Sequence, residues 1–355
     1  MSIKKIVDGI EPLDEKWIVK ARERTAQLVM PTRALGRLHD ISERLCGIQK
    51  TLKPKIDRKA VLVMAGDHGV VEEGVSAYPQ EVTGAMVQTF LAGGAGINAI
   101  SRHIGSDVQV IDMGIIPDLD PDSIDGGNQL LLHKVARGTA NLARGPAMTR
   151  QMAEKAIVTG FDLATDLFRK GVEILGAGDM GIGNTTPSAA IGAVVTGKNP
   201  EQMVGRGTGV DNNGLIKKRE AVTRGIQVNN PDPRDGLDVL SKVGGFEIGG
   251  IAGCVLAGAF HSRPVVIDGF ISTAGALIAH ILCPLVTEYI FAGHRSEEAG
   301  HGSMLKHLGL EPILDLGMRL GEGTGGALAM SVIEGAVHMF NEVLTFEEAG
   351  VTDKD

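Results

Sequence analysis

From about residue 60 onward, short apolar, often β-branched runs alternate with longer stretches whose apolar residues recur at helical spacing. That alternation is the pattern of βαβ units on a parallel sheet. It predicts strands over Ala60–Ala65, Asp107–Met113, Val172–Gly176, Pro264–Asp268, Tyr289–Ala292 and Ile313–Leu316. Helical patterns lie between them, among them Pro79–His103, with proline near its start, and Thr149–Lys170, with Thr149 as N-cap. Residues 1 to about 57 read as helices of mixed charge, Asp14–Val29 and Arg33–Lys50, ended by Pro54. A last helix, about Gly325–Leu344, has no strand after it and is expected to fold back on the N-terminal helices.

The expected strand ends share a texture. Just past them lie Gly66-Asp67-His68-Gly69, Gly114-Ile115, Gly176-Ala177-Gly178-Asp179, Asp268-Gly269, Gly293-His294-Arg295-Ser296 and Gly317-Met318-Arg319-Leu320-Gly321-Glu322-Gly323. Open parallel sheets bind ligands outside the carboxyl ends of their strands. Six such loops, most with Asp, Glu, His or Arg among glycines, place a site at that edge.

Composition narrows the ligand. The 355 residues suit one large domain, or a main domain with a small partner. Glycine, at 49 residues, is roughly twice its usual level without a collagen period, so it serves turns, close packing or backbone approach to a ligand. A formal charge of −8 and 3% aromatics argue against nucleic acid, which needs clustered Lys/Arg and stacking rings. Cys46, Cys254 and Cys283 are widely spaced, with no CxxC pair, and read as reduced, buried thiols. The N-terminus lacks the apolar core of a signal peptide. Of the longest apolar stretches, Ile248–Phe260 is too short for a bilayer and Ile271–Val286 carries Ser272, Thr273 and His280. The expectation is a soluble, cytoplasmic protein with no membrane span.

Several motifs mislead. Gly176–Gly181 matches GxGxxG after a strand, but no helix opens there and no acidic strand end follows at the spacing a dinucleotide needs. Gly192–Asn199 nearly matches a P-loop, but Asn199 replaces the metal-binding hydroxyl and the segment ends a helix. His294, His301 and His307, at spacings that fit no standard zinc arrangement, read as surface or capping histidines, and no metal is expected.

Three segments carry more. Gly181-Ile182-Gly183-Asn184-Thr185-Thr186 offers hydroxyls and free N–H groups at a helix start, a cradle for phosphate. Gly205–Gly209 leads to Lys217-Lys218-Arg219, which is either part of a positive site or a solvated helix face. Leu320-Gly321-Glu322-Gly323 places one carboxylate among glycines, able to face a bound ring and take its proton. As an exposed loop carboxylate, Glu322 is expected to matter little for stability.

Together, residues 66–83, 178–191, 205–215, 243–253, 265–279, 293–301 and 320–329 resemble the nicotinate-nucleotide:dimethylbenzimidazole phosphoribosyltransferase family. The resemblance implies a doubly wound, mostly parallel sheet with flanking helices and a small helical domain from the two termini. The divisions would be 1–57, 58–322 and 323–355. It implies a homodimer that needs no cofactor. The reaction implied moves 5-phosphoribose from nicotinate mononucleotide to a benzimidazole base with inversion at C1′. By the same similarity Glu322 corresponds to the catalytic base and Asp179 to a second carboxylate. Gly181, Ile182, Gly183, Asn184 and Lys218 map onto the phosphate site, and Ser296 lies near the nucleotide. Ser76, Tyr78, Gln80 and Leu320 map onto the base pocket. The chain departs from the pattern at Asp179, where family members usually carry Glu; the shorter side chain requires a deeper substrate or a water-bridged contact. Two rival readings are a nicotinamide-dependent oxidoreductase using Gly176–Gly181, and a nucleotide sensor in which Glu322 is dispensable.

Overall fold

The computed structural model describes residues 1–120 and 129–352. Among the described residues the sheet has seven strands: β1 (Lys59–Gly66), β2 (Ser106–Gly114), β3 (Gln129–Leu132), β4 (Ile174–Met180), β5 (Val265–Ile267), β6 (Ile290–His294) and β7 (Pro312–Leu314). They lie in the order β3-β2-β1-β4-β5-β6-β7, and every neighbouring pair is parallel. The order runs outward in both directions from the β1/β4 pair, so the crevice between those two strand ends is the switch point where such sheets take ligands. All eight β1 residues are buried, as expected of a central strand covered on both faces.

Beyond shifts of a few residues at element ends, the structure departs from the sequence reading in three places. Edge strand β3 was not anticipated. Pro79–His103 is two helices, Val82–Leu91 and Gly96–Ile104, broken at Gly93, which has a left-handed φ of +74°. β4 continues through Gly176, Ala177 and Gly178 to Met180, so two of the three GxGxxG glycines lie inside a strand and form no dinucleotide loop.

Glycine explains the tightest helix contact. Helix Arg150–Arg169 crosses the fully apolar face of Phe246–Phe260 so closely that a Cβ on Gly160 would lie 1.9 Å from the Gly250 carbonyl oxygen. Thr149 caps the first of these helices through the Met152 N–H, at 3.2 Å.

The helix Thr324–Glu342 starts beneath the sheet edge and packs on β4, β5 and β6. Its far end packs on the N-terminal helices, where Ala21, Cys46, Met339 and Phe340 form a separate apolar cluster. An antiparallel bridge between Leu28 and Thr345 closes this contact. Among the described residues no helix is long and apolar enough to cross a membrane.

Candidate active site

The ends of β1 and β4, with those of β5 and β6 and the segment after β7, surround a cleft of about 490 Å³. Its floor is the turn that follows β4, from Gly181 through Thr185. Tyr78, Val82 and Met86 form one wall, and Phe270, Ile271 and Leu320 add apolar surface. Glu322, Asp179, Asp268 and Glu298 bring four carboxylates to its lining, beside His294 and Ser296.

The floor is built for close backbone approach. A Cβ on Gly181 would lie 2.3 Å from the Gly66 carbonyl oxygen, so only glycine lets the two strand ends meet. Gly183 takes a φ of +88°, which turns the chain into the helix Thr185–Thr196. The Ile182 N–H donates to the Thr83 hydroxyl at 3.1 Å, and the Asn184 amide donates to Asp179 Oδ2 at 2.8 Å. Lys218 stands behind the first turn, with Nζ 2.6 Å from Thr185 Oγ1. Burial lowers its ammonium to about 8, against the opposing pull of Glu298.

Glu322 sits in a strained segment. Gly321, Glu322 and Gly323 all have left-handed φ, at +87°, +63° and +89°, and for Glu322 that costs roughly 1–2 kcal/mol. Its side chain is 5% exposed, so it is not the exposed loop carboxylate the sequence suggested. Gly321 and Gly323 remove side-chain bulk, but the loop packs down: a Cβ on Gly178 would lie 2.4 Å from the Glu322 carbonyl oxygen. Glu322 Oε2 accepts the Ile97 N–H at 3.0 Å. Burial raises its pKa, the Ile97 N–H opposes this, and the Asp268 charge adds to the rise. Asp179 is pushed up to about 8, mainly by burial and next by the Asp268 charge, with the Asn184 amide opposing.

His294 and His301 are buried in the site, which corrects their reading as surface or capping residues; His307 is exposed. His294 Nε2 lies 3.5 Å from Asp268 Oδ1. His301 Nδ1 accepts the Ser296 N–H at 2.9 Å, and its Nε2 lies 2.9 Å from the Thr273 hydroxyl. An acceptor Nδ1 leaves the proton on Nε2, so His301 is neutral; burial lowers its pKa to about 3. It ties the loop after β6 to the helix after β5. Beneath the floor, His68 Nε2 lies 2.8 Å from Glu247 Oε1, both fully buried. Burial opposes the imidazolium, but Glu247 and Asp67 outweigh it and raise the His68 pKa.

Eight of the residues singled out from sequence line the cleft: Tyr78, Asp179, Gly181, Ile182, Asn184, Ser296, Leu320 and Glu322. The other four stand one contact behind it. Lys218 reaches it through Thr185, and Gly183 shapes the floor. Ser76 meets Thr208 at 3.4 Å, while the Gln80 amide donates to the His68 carbonyl at 3.3 Å. Asp268, His294 and Thr208 were missed as site residues, whereas Thr185 belongs to the cradle segment read from the sequence. The first two already stood in the strand-end texture, and only their distance in sequence from Glu322 hid the link.

A family model described as phosphoribosyltransferase matches residues 10–351. The nicotinate-nucleotide–dimethylbenzimidazole phosphoribosyltransferase of Geotalea uraniireducens is 52% identical over 344 residues, covering 97% of this chain and 96% of the relative. The enzyme of that name from Desulforudis audaxviator is 50% identical over 350 residues, 99% of this chain and 98% of its own. The crystal structure of the Thermus thermophilus enzyme superposes with a TM-score of 0.90 at 45% identity, covering 96% of this chain and all of that one. Identity of this extent over nearly full length, on a shared fold, places the whole chain: it belongs to the nicotinate-nucleotide–dimethylbenzimidazole phosphoribosyltransferase family.

Proposed function

We propose that the cleft transfers 5-phosphoribose from nicotinate mononucleotide to 5,6-dimethylbenzimidazole or a related base. Inversion at C1′ gives α-ribazole 5′-phosphate and nicotinate, for the lower-ligand nucleotide of cobalamin. The observation that carries this reading is a buried carboxylate, Glu322, facing the same cleft as a glycine-rich helix start backed by Lys218.

The 5′-phosphate binds at the glycine-rich turn Gly181–Thr185, in which the Ile182 and Asn184 N–H groups already donate to Thr83 and Gly181, with Lys218 supplying charge through the first turn and Ser296 beside the nucleotide. The base lies against Tyr78 and Leu320, with Ser76 and Gln80 shaping the loop that carries Tyr78. One benzimidazole nitrogen attacks C1′ as the C1′–nitrogen bond to the pyridinium breaks, and that electron pair leaves on neutral nicotinate nitrogen. The other benzimidazole N–H gives its proton to Glu322, whose pKa is raised by burial, which makes it a stronger base than a free carboxylate. Asp179, the second carboxylate, keeps its proton at neutral pH and orients the turn through Asn184. The rest of the acceleration is alignment of two bound reactants.

The same reading includes a homodimer, a helical unit from residues 1–57 and 323–355 beside the 58–322 body, and a cytoplasmic location, which the three buried free thiols suit. Incubation with nicotinate mononucleotide and 5,6-dimethylbenzimidazole, followed by mass analysis, tests it. Formation of α-ribazole phosphate and nicotinate in equal amounts is expected; binding of the mononucleotide without turnover would favour a sensor.

A further inference from the structure

Glu322 keeps a left-handed φ that a non-glycine residue leaves unless something holds it. The residue that grips this segment is Asp268, past the end of β5 and 55 positions away in sequence. Its Oδ2 accepts the N–H of Gly323, the residue directly after Glu322, at 3.2 Å. Its Oδ1 accepts the Gly326 N–H at 2.9 Å, in the first turn of Thr324–Glu342. Both oxygens therefore accept backbone donors at the positive end of a 19-residue helix, which favours the anion, while burial works the other way and raises the Asp268 pKa, opposed by His294 and the glycine N–H groups. Its own N–H donates to Ser272 Oγ at 3.0 Å, so the grip is fixed in turn. His294 backs the carboxylate at 3.5 Å, and a Cβ on Gly325 would lie 2.0 Å from His294 Cδ2, so imidazole, carboxylate and helix start are packed without slack.

We propose that Asp268, backed by His294, is the positioning residue of Glu322: it fixes the strained loop that aims the Glu322 carboxylate and sets negative charge beside it. Asp268 is 1% exposed, and its charge raises the pKa of both Glu322 and Asp179, as expected of a carboxylate shared between them. This inference rests on the reading of Glu322 as the base, and deepens it.

A double-mutant cycle separates the two. Asp268→Asn leaves one acceptor where two are needed and removes the charge. In the parent it is expected to lower kcat on the order of 10²-fold, the loss typical of a misplaced catalytic group, with little change in KM for either substrate. In the Glu322→Gln background the same change should lower kcat no further, because the group it positions is gone. A loss of equal size in both backgrounds, or none in either, overturns the proposal. Full activity in Glu322→Gln alone overturns the base assignment instead. If Asp268→Asn does not fold, His294→Gln takes its place in the cycle: it leaves both glycine hydrogen bonds intact, so a smaller loss confined to the Glu322 background is expected, and no loss or an additive one overturns the proposal.

Discussion

Lys218 Nζ and Thr185 Oγ1 stand 2.6 Å apart, joining a buried ammonium to the first residue of the helix whose N-terminus floors the cleft. Lys218 is buried, so it is not part of a solvated helix face, and under the proposed function the pair anchors the phosphate. Lys218→Ala should raise KM for the mononucleotide on the order of 10- to 100-fold, as for a lost charge-assisted hydrogen bond, and leave KM for the base nearly unchanged. In the parent the ammonium loses its proton near pH 8, so kcat/KM for the mononucleotide should fall above about pH 8. Initial rates across pH 6.5–9.5 check both; an unchanged mononucleotide KM in Lys218→Ala removes Lys218 from the site.

Asp179 makes a stability prediction whose sign follows from its pKa. Its carboxyl moves from an ordinary 3.8 to about 8, so the folded chain holds a proton that the unfolded chain releases. Stability from this group is fully present below about pH 4 and is lost as pH rises towards 8. Asp179→Asn keeps a carbonyl acceptor for Asn184 and cannot ionise. It should therefore raise Tm by a few degrees at pH 8 and by little at pH 4.5, read by thermal denaturation. A Tm difference that grows as pH falls would contradict the assignment.

The apolar side of the cleft predicts tolerance for related bases. Tyr78 and Leu320 both line the cleft and are exposed, 54% and 61%, and under the proposed function a flat ring covers them. A methyl-sized change in such a pocket discriminates by only about 10–200-fold, so benzimidazoles with altered ring substituents should be converted. Leu320→Ala should raise KM for the base and not for the mononucleotide. Strict rejection of every analogue would point to polar recognition instead.

Much of this was legible in the chain, for identifiable reasons. Strand ends announced themselves because glycine and a polar residue follow most of the apolar runs, and Thr149 read correctly as a cap because its hydroxyl meets the Met152 N–H. β3 was missed because four residues at a sheet edge carry too little periodicity to register. Pro79–His103 was read through because Gly93-Gly94 interrupts an apolar face without shifting its period. The burial of Lys218 had a signal: it shares the buried face of its helix with Ala221, Val222 and Gly225, at spacings of three, four and seven. What no local pattern could supply was the meeting of Asp268, His294 and Glu322, which depends on strands β5 and β6 lying beside the start of the last long helix.

The central claim is that Glu322 takes the proton of the incoming base. Glu322→Gln keeps the shape and an acceptor for the Ile97 N–H, so the buried loop should remain folded, while the amide cannot accept a proton at neutral pH. Steady-state turnover of nicotinate mononucleotide and 5,6-dimethylbenzimidazole should show kcat lowered about 10²-fold or more, with both KM values close to the parent. Asp179→Asn, measured alongside, should lose less. Abolished turnover in Asp179→Asn with Glu322→Gln near full rate would contradict the account and move the base to the other carboxylate.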